Sequence, residues 1–218
     1  MVEMVDYCKT IARVPVLDHI NARLEDGRIY GLKGKNGSGK TMLLRAMCGL
    51  IRPTSGQLLI DGEPLPRGRF ARDAGVLIEN PEFLPGYTCK ENLMGLARIN
   101  NKIGEDEVDE ALASVGLDPG DGRPVRACSL GMRQRLGIAA ALMESPRLIL
   151  LDEPVNALDP EGVALVAGLL QNARARGALV VVACHDSGEI EGLFDQTFLM
   201  AEGRLRLSLI HISEPTRP

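Results

Sequence analysis

A glycine-rich segment ending in a lysine and a threonine carries the clearest chemical signal in the sequence. The octet Gly34–Thr41 has the spacing G-x-x-x-x-G-K-T of a phosphate-binding loop. Its glycines, which let successive backbone N–H groups converge on phosphate oxygens, are Gly34, Gly37 and Gly39. Lys40 supplies a point charge for the outer phosphates, and the Thr41 hydroxyl is a ligand type that Mg²⁺ accepts. The octet therefore predicts nucleotide binding, and a glycine-rich turn without a ligand is the alternative.

The segments on either side of the octet support the first interpretation. Arg28–Leu32 is a short apolar stretch that predicts a strand entering the loop, and Thr41–Met47 predicts a helix leaving it. A helix in that position aims the positive end of its dipole at bound phosphates.

Two adjacent carboxylates follow a second apolar strand. Leu148–Asp152 is a buried-type strand, and Glu153 comes directly after it. Such a strand can place Asp152 beside the phosphate loop, where it orients Mg²⁺, while Glu153 polarises an attacking water. Taken alone, the pair also fits a solvated strand end, so its meaning depends on the upstream loop.

Composition limits the other possibilities. The chain has 218 residues, 45% hydrophobic and 25% charged residues, and a net charge of −4, which suit one globular domain and do not favour nucleic-acid binding. Its five cysteines include no C-x-x-C pair, which favours reduced, buried thiols over a disulfide framework or a zinc site. The amino terminus lacks the pattern of a signal peptide. The apolar runs are too short to span a bilayer, so a membrane role would require a partner.

The predicted elements alternate between strands and helices. Two strand-like stretches lie within residues 1–33, separated by a turn at Leu24–Gly27, and later strands are predicted at Gln57–Ile60, Gly75–Glu79, Leu148–Asp152 and Leu179–Cys184. Helices are predicted from Cys89 with Thr88 as cap and Glu91 at capping-box spacing, at Glu105–Gly116, at Leu130–Met143 with Ser129 as cap, and at Pro160–Ala175. This order predicts an α/β fold with a largely parallel sheet covered on both faces. The helical segment at about 80–146 interrupts the sheet as a subdomain.

In their order along residues 1–206, four motifs resemble the nucleotide-binding subunit of an ATP-binding-cassette (ABC) transporter. They are the phosphate loop, the strand ending in Asp152 and Glu153, the segment Ser129–Arg135 at the position of the family signature, and Asn156–Asp159 with the later His185. The Ser-Leu-Gly-Met-x-Gln-Arg form of the signature is most similar to the exporter branch associated with bacitracin and lantibiotic resistance. The resemblance implies a P-loop nucleoside triphosphatase of ABC type, with a mostly parallel sheet core, N-terminal antiparallel strands and a helical subdomain.

The resemblance also implies residue roles. ATP would be the nucleotide, with Mg²⁺ held by Thr41, Asp152 and Glu79, and with Glu153 as the catalytic carboxylate. His185 would contact the γ-phosphate, and Ser129 and Gly131 would complete the site of a second subunit. The residues that would bind the phosphates are Gly34, Asn36, Gly37, Ser38, Gly39, Lys40 and Thr41. Alone, His185 also fits a structural histidine and Ser129 a simple helix cap.

The sequence departs from the family pattern at several positions. Glu79 stands where glutamine is usual, Val155 stands where threonine is usual, and Leu130 and Met132 replace a glycine and a glutamine of the commoner signature. The aromatic residue expected near 11–13 to stack on adenine is missing. We therefore predict that stacking is absent or is supplied by Tyr7. Two apolar residues after Glu79 fit either contact with a membrane partner or packing under the helical subdomain; they are Phe83 and Leu84.

The last twelve residues, 207–218, resemble the translation of a transposase adapter used in DNA library preparation. We expect the native chain to continue differently after Arg206, and an ordinary tail is the alternative. No functional role is assigned to this segment.

The sequence as a whole predicts an ATP-binding and ATP-hydrolysing subunit that powers a membrane exporter of a peptide antibiotic or similar amphiphile. The expected partners are a transmembrane permease and a second cassette, identical or paired, with ATP at their interface and no nucleic acid. The expected location is the cytoplasm, at the inner face of the membrane. A soluble ABC ATPase that acts as a clamp in DNA repair or translation is the main alternative, and a non-catalytic nucleotide sensor is a third.

Overall fold

The computed structural model describes residues 1–79, 81–185 and 190–208. Within these ranges the strands are β1 (Val2–Ile11), β2 (Val14–Leu24), β3 (Ile29–Lys33), β4 (Ser55–Ile60), β5 (Glu63–Pro64), β6 (Ala74–Leu77), β7 (Leu148–Asp152), β8 (Leu179–Cys184), β9 (Gln196–Ala201) and β10 (Arg204–Leu207). The α-helices are α1 (Lys40–Met47), α2 (Cys89–Asn100), α3 (Glu105–Ser114), α4 (Leu130–Leu142) and α5 (Pro160–Ala175).

A six-stranded sheet in the order β10-β9-β3-β8-β7-β6 forms the centre of the fold. Strands β9, β3, β8, β7 and β6 run parallel to one another, and the edge strand β10 is antiparallel to β9. Parallel strands end at the same edge of a sheet, so the segments that follow β3, β6, β7 and β8 meet there. The site residues predicted to bind within one chain come from these four segments, whereas Ser129 and Gly131 lie at the start of α4.

Both faces of the sheet are buried, as the uninterrupted apolar strands predict. In β7, Ile149 and Leu151 join a core lined by α2 to α5, whereas Leu148 and Leu150 join a second core with α1 and the N-terminal strands. The side chains of β8 alternate between the same two cores. This double burial fixes the register of each strand, because a slip of one residue would exchange the two faces. The predicted α/β fold class is confirmed.

The N-terminal antiparallel strands that the resemblance implied are confirmed, but the number of strands before Leu24 differs from the prediction. The stretch before Leu24 forms two antiparallel strands, β1 and β2, joined at Ala12 and Arg13, whereas the sequence predicted one strand there. Both turn residues are in the left-handed region, with φ of 47° and 68°. Hairpins of this type usually place Gly or Asn at these positions, so the sequence carried no turn signal. The hairpin belongs to a four-stranded antiparallel sheet in the order β2-β1-β4-β5.

Three helices, α2 to α4, lie between β6 and β7, and their predicted caps are confirmed. Thr88 Oγ1 accepts a hydrogen bond from the Glu91 N–H at 3.1 Å, and Glu91 Oε2 accepts one from the Thr88 N–H at 2.8 Å. The hydroxyl of Ser129 accepts from the Met132 N–H at 3.2 Å and so caps α4. These bonds satisfy donors that a helix start leaves open. The division of the chain into a cassette of residues 1–206 with an inserted subdomain stays a prediction.

Three further sequence-based expectations concern the end of β6, the C-terminal segment and the membrane. Strand β6 ends at Leu77, two residues before its predicted end. Of the C-terminal segment, Leu207 closes β10, while residues 209–218 lie outside the described residues. Among the described helices, none combines the length and apolar character needed to cross a bilayer.

The contact between β6 and α4 generates a prediction. A β-carbon on Gly75 would lie 1.8 Å from the Ala141 carbonyl oxygen, so Gly75→Ala should lower the free energy of unfolding by about 1–3 kcal/mol or more. The matched control is Gly95→Ala in α2, where a β-carbon meets no atom within 4 Å. That change should raise stability by about 0.5–1 kcal/mol. Urea unfolding measures both, and equal stabilities for the two variants would contradict the packing described.

Candidate nucleotide-binding site

The phosphate loop lies between the end of β3 and the start of α1. Gly37 and Gly39 have φ of 76° and 111°, which residues with side chains seldom adopt. A β-carbon on Gly39 would also lie 2.7 Å from the Met200 side chain and 3.1 Å from the Val16 carbonyl oxygen. The loop therefore requires glycine at this position for conformation and for space.

The turn between β9 and β10 holds the phosphate loop in place through backbone hydrogen bonds. The Gly203 N–H donates to the Ser38 carbonyl oxygen at 2.9 Å, and the Gly203 carbonyl oxygen accepts from the Asp18 N–H at 2.8 Å. This chain of bonds connects the loop to β2 and to the C-terminal hairpin. The loop conformation is thus fixed by contacts distant in sequence.

Two buried polar side chains of the loop suit an anion. Lys40 is buried, and its Nζ donates to the Gly34 carbonyl oxygen at 2.6 Å. The Ser38 hydroxyl is also buried and has no hydrogen-bond partner within the described residues. A buried hydroxyl without a partner is costly, and a phosphate oxygen supplies the acceptor it needs. The donors of this loop therefore fit a nucleotide phosphate.

Thr41 and Asp152 form the second part of the site. Thr41 is in the first turn of α1, and its Oγ1 donates to Asp152 Oδ2 at 2.6 Å. Asp152 ends β7 and is 9% exposed. Burial raises the pKa of its carboxyl above the usual value, and the hydrogen bond from Thr41 opposes that rise. A hydroxyl and a carboxylate in contact are the oxygen ligands that Mg²⁺ prefers, so the residues present fit this ion.

Glu153 is positioned by three contacts. Its backbone is in the left-handed region, with φ of 50°, and its N–H donates to the Ala183 carbonyl oxygen at 2.8 Å. His185 Nε2 lies 2.5 Å from Glu153 Oε1, and the Asn156 side-chain amide donates to Oε2. The structure therefore brings together Asp152, Glu153 and His185, which the sequence predicted to act in one site. The contact of Asn156 with this carboxylate was not predicted, although the residue belongs to the motif that carried the resemblance.

Glu79 lies after β6, next to the strand that carries Asp152. Its carboxylate forms an ion pair with Arg45 of α1 at 2.8 Å, and its side chain is 62% exposed. Arg45 is a partner that the sequence analysis missed, because no motif marks it. The role of Glu79 as a ligand of Mg²⁺ stays a prediction.

Helix α4 contacts the segment that carries Glu153 through a buried amide. Gln134 Nε2 donates to the carbonyl oxygens of Glu153 and Pro154 at 3.1 and 3.0 Å. A β-carbon on Gly131 would lie 2.9 Å from the Ala157 carbonyl oxygen, so the start of α4 packs directly on the segment after Glu153. Sequence reasoning gave Gln134 no role.

Ser129 and Gly131 are not in contact with the phosphate loop of their own chain. Among the described hydrogen bonds, the Ser129 hydroxyl bonds within α4, and its residue is exposed. The next residue, Leu130, is 56% exposed. The start of α4 thus faces solvent, where its N–H groups are accessible to an external anion.

The prediction that Tyr7 stacks on adenine is wrong. Tyr7 is fully buried in the core between the two sheets, and its hydroxyl donates to the Ile51 carbonyl oxygen at 2.9 Å. No face of the ring is available to a base. The exposed large hydrophobic side chains at the hairpin tip, Ile11 and Val14, are aliphatic. The other prediction, an adenine site without aromatic stacking, is not tested by these contacts.

The combination of these features defines a class of protein. A glycine-rich loop before a helix, a buried Asp at the end of a nearby parallel strand, and an adjacent Glu held by a His form the site of a P-loop nucleoside triphosphatase. The predicted fold of this class is confirmed by solved structures with similar backbones. One is a dimeric cassette, MJ0796, in a post-hydrolysis state bound to ADP and Pi, with a TM-score of 0.83 and 22% identity over 95% of this chain and 98% of that one. Another is an ATP-binding subunit of an ABC transporter, with a TM-score of 0.85 and 24% identity over 95% and 89% of the two chains.

Sequence comparison identifies the family. Residues 17–156 match the model of the ABC transporter family. An uncharacterised ABC transporter ATP-binding protein of Bacillus subtilis, YybJ, is 43% identical over 95% of this chain and 96% of its own length. The bacitracin transport protein BcrA of Bacillus licheniformis is 38% identical over 94% of this chain and 68% of its own length. The lantibiotic transport protein SrtF of Streptococcus pyogenes is 32% identical over 95% and 90%. The chain belongs to the ABC transporter family and is an ATPase of that family.

The link from α4 to Glu153 generates a prediction. Gln134→Ala removes the side-chain donor of the Pro154 carbonyl oxygen and one of the two donors of the Glu153 carbonyl oxygen, which also accepts from the Asn156 N–H. It should therefore lower the free energy of unfolding by about 1–3 kcal/mol. It should also lower kcat, because the backbone of Glu153 loses a fixed contact. The control is Gln57→Ala, a change to an exposed side chain on β4, which should change stability by no more than about 0.5 kcal/mol. Chemical unfolding and steady-state ATPase assays measure the two effects, and a Gln134→Ala protein that matched the control would disprove the role of this amide.

Proposed function

We propose that this chain hydrolyses ATP to drive the export of a peptide antibiotic or similar amphiphile through a separate transmembrane permease. The observation that carries the hydrolytic part is the contact between Glu153 and His185 beside the bonded pair Thr41–Asp152. A site that only sensed nucleotide would not need an oriented carboxylate next to its metal-binding pair.

Binding depends on the loop and on the dipole of α1. Backbone N–H groups of the loop would donate to the phosphate oxygens, apart from that of Ser38, which donates to the Lys35 carbonyl oxygen at 3.1 Å. The N-terminal end of α1 adds positive potential. Lys40 exchanges its contact with the Gly34 carbonyl oxygen for the outer phosphates. The Ser38 hydroxyl gains an acceptor, and Asn36, exposed at the loop tip, closes over the phosphates. Thr41 and Asp152, with Glu79, would hold Mg²⁺, which neutralises phosphate charge when bound.

Hydrolysis uses Glu153 as general base. The carboxylate accepts a proton from water while the water oxygen attacks the γ-phosphorus, and the bond from that phosphorus to the β–γ bridging oxygen breaks to leave ADP and phosphate. His185 and Asn156 each occupy one Glu153 oxygen, and each oxygen keeps a second lone pair for the water proton. When ATP is bound, His185 also donates a hydrogen bond to the γ-phosphate. One histidine then contacts both the general base, Glu153, and the phosphate that is attacked.

Two copies or two related cassettes assemble with ATP between them. The support is the exposed start of α4, where Ser129 and the amides after it lack contact with their own loop. In the assembly, Ser129 and Gly131 of one subunit contact the ATP of the other. ATP then binds the assembled state more tightly than the separated state, and hydrolysis shifts the population back.

The permease contacts the segment after β6, and the cassette stays at the cytoplasmic face of the membrane. Leu84 is 59% exposed and Tyr87 is 52% exposed, whereas Phe83 packs against the core. Of the two apolar residues singled out from the sequence, Leu84 is the one available to a partner. The relatives named for bacitracin and lantibiotic transport support the choice of cargo and of export.

A base substitution tests the chemistry. Glu153→Gln removes the proton acceptor and keeps the shape of the side chain, so kcat should fall by about 10²–10⁴-fold while ATP binding persists. ATP should then accumulate in a stable dimer, visible as a change of mass in size-exclusion chromatography with light scattering. The control is Glu110→Gln on the exposed face of α3, which should keep wild-type turnover. Wild-type turnover in Glu153→Gln would remove Glu153 from its role.

A second experiment tests the transport assignment. Cells that carry the protein with its permease should survive higher bacitracin or lantibiotic concentrations than cells with the Glu153→Gln variant. Affinity purification of the cassette from membranes should recover a polytopic membrane protein. A cassette that hydrolysed ATP but recovered a ribosomal or DNA-bound complex instead would support the soluble clamp and refute the exporter.

A further inference from the structure

Three side chains with nitrogen, sulfur and oxygen donors meet on the outer face of the N-terminal hairpin. Asp6 and Cys8 lie two residues apart on β1 and so share a face, and His19 lies opposite them on β2. The neighbours Tyr7 and Ile20, which pair across the hairpin, point into the core instead. One donor atom from each of Asp6, Cys8 and His19 lies within 4.8 Å of the other two.

The contacts within this cluster are specific. His19 Nδ1 lies 2.5 Å from Asp6 Oδ1, and the His19 N–H donates to Cys8 Sγ at 3.3 Å. Cys8 is partly exposed, whereas the other four cysteines of the chain are buried. The cluster therefore contains the cysteine sulfur that is most accessible to an ion from solution.

The backbone is shaped around these side chains. Asp6 and His19 both adopt left-handed conformations, with φ of 49° and 50°, and β1 shifts register against both of its neighbours at this point. Asn21 connects the two positions, because its Oδ1 accepts from the Asp6 N–H at 2.9 Å and its Nδ2 donates to the His19 carbonyl oxygen at 3.1 Å. Irregularities of this kind re-aim side chains within a sheet. Regular strand pairing would not require these left-handed conformations or register shifts.

A carboxylate lies in position to support the histidine. Asp18 Oδ1 is 3.8 Å from His19 Nε2, and Arg204 holds the other Asp18 oxygen at 2.7 Å. A histidine that binds a metal through one ring nitrogen commonly directs the other toward a carboxylate. In such an arrangement, His19 would bind the metal through Nδ1 and direct Nε2 toward the Asp18 carboxylate.

We propose that Asp6, Cys8 and His19 bind a zinc ion, with water as the fourth ligand. Zinc accepts all three donor types and prefers four ligands in tetrahedral arrangement, whereas Mg²⁺ and Ca²⁺ prefer oxygen alone. In a tetrahedral site the nitrogen and oxygen donors are about 3.3 Å apart and the nitrogen and sulfur about 3.6 Å, from bond lengths of about 2.0–2.3 Å. Zinc binding would therefore increase the distance between His19 Nδ1 and Asp6 Oδ1 by less than about 1 Å. Both side chains are exposed and can make this movement. The site is distinct from the residues assigned to nucleotide.

The sequence alone favoured the opposite expectation. Asp6 and Cys8 are separated by one residue, a spacing that matches no common zinc motif, and His19 is on another strand. Only the pairing of β1 with β2 brings the imidazole to the other two ligands.

Metal titration of the full chain tests the proposal. Protein freed of metal by a chelator and kept reduced, without nucleotide and with excess Mg²⁺ to occupy oxygen sites, is titrated with Zn²⁺ and separately with Co²⁺. We expect one tight equivalent of Zn²⁺, and with Co²⁺ an absorption band of a cobalt–thiolate bond. Cys8→Ser should abolish that band, and His19→Asn should weaken Zn²⁺ binding by at least about tenfold.

The variants are chosen to keep the fold. Serine at position 8 still accepts from the His19 N–H, and asparagine tolerates the left-handed backbone at 19. Asp6→Asn, which keeps the backbone and removes the charge, is the second test if either fails to fold by circular dichroism. Glu3→Gln on the same strand is the matched control and should bind Zn²⁺ as the wild type does. A cobalt–thiolate band that survives Cys8→Ser, or equal Zn²⁺ affinity in wild type, His19→Asn and Asp6→Asn, would overturn the site.

Discussion

The double burial of the parallel sheet is the constraint on which the site depends. Strands β3, β6, β7 and β8 each place apolar side chains in both cores, so none can slip without exposing apolar surface to water. Their fixed register brings four chain segments to one edge. The phosphate loop, Glu79, the pair Asp152 and Glu153, and His185 follow these strands directly. The candidate site residues are therefore positioned by the packing of apolar side chains in the sheet.

The same edge carries features that oppose stability. Asp152 is buried as a carboxyl whose pKa is raised, Glu153 occupies a left-handed conformation, and the Ser38 hydroxyl is buried without a partner in the described part of the chain. Each of these costs free energy in the absence of ligand. Concentration of such features at one edge is typical of a site adapted to a substrate.

The sequence predicted the parts of the site that depend on local chemistry. The octet Gly34–Thr41, the strand before Asp152 and the caps Thr88 and Ser129 carry their signals within a few residues, and the structure has them at the predicted positions. Contacts between distant segments were missed, because the signature segment that contains Gln134 does not indicate its partners after β7, and no motif marks Arg45. Tyr7 was assigned to adenine from its position along the chain, but pairing of β1 with β2 and β4 turns its ring into the core. Likewise, the Ala12–Arg13 turn has no glycine or asparagine to mark it.

The hydrogen bonds that Gly203 makes to the phosphate loop and to β2 affect the order in which the protein folds. The loop belongs to the first part of the chain, yet its Ser38 carbonyl bonds Gly203 of the last hairpin, which in turn bonds Asp18. A chain emerging from the ribosome therefore carries the complete glycine motif long before it carries the support for it. The hydrogen bonds that hold the loop therefore form only after β9 and β10 have been synthesised, so the loop gains its fixed conformation late in folding.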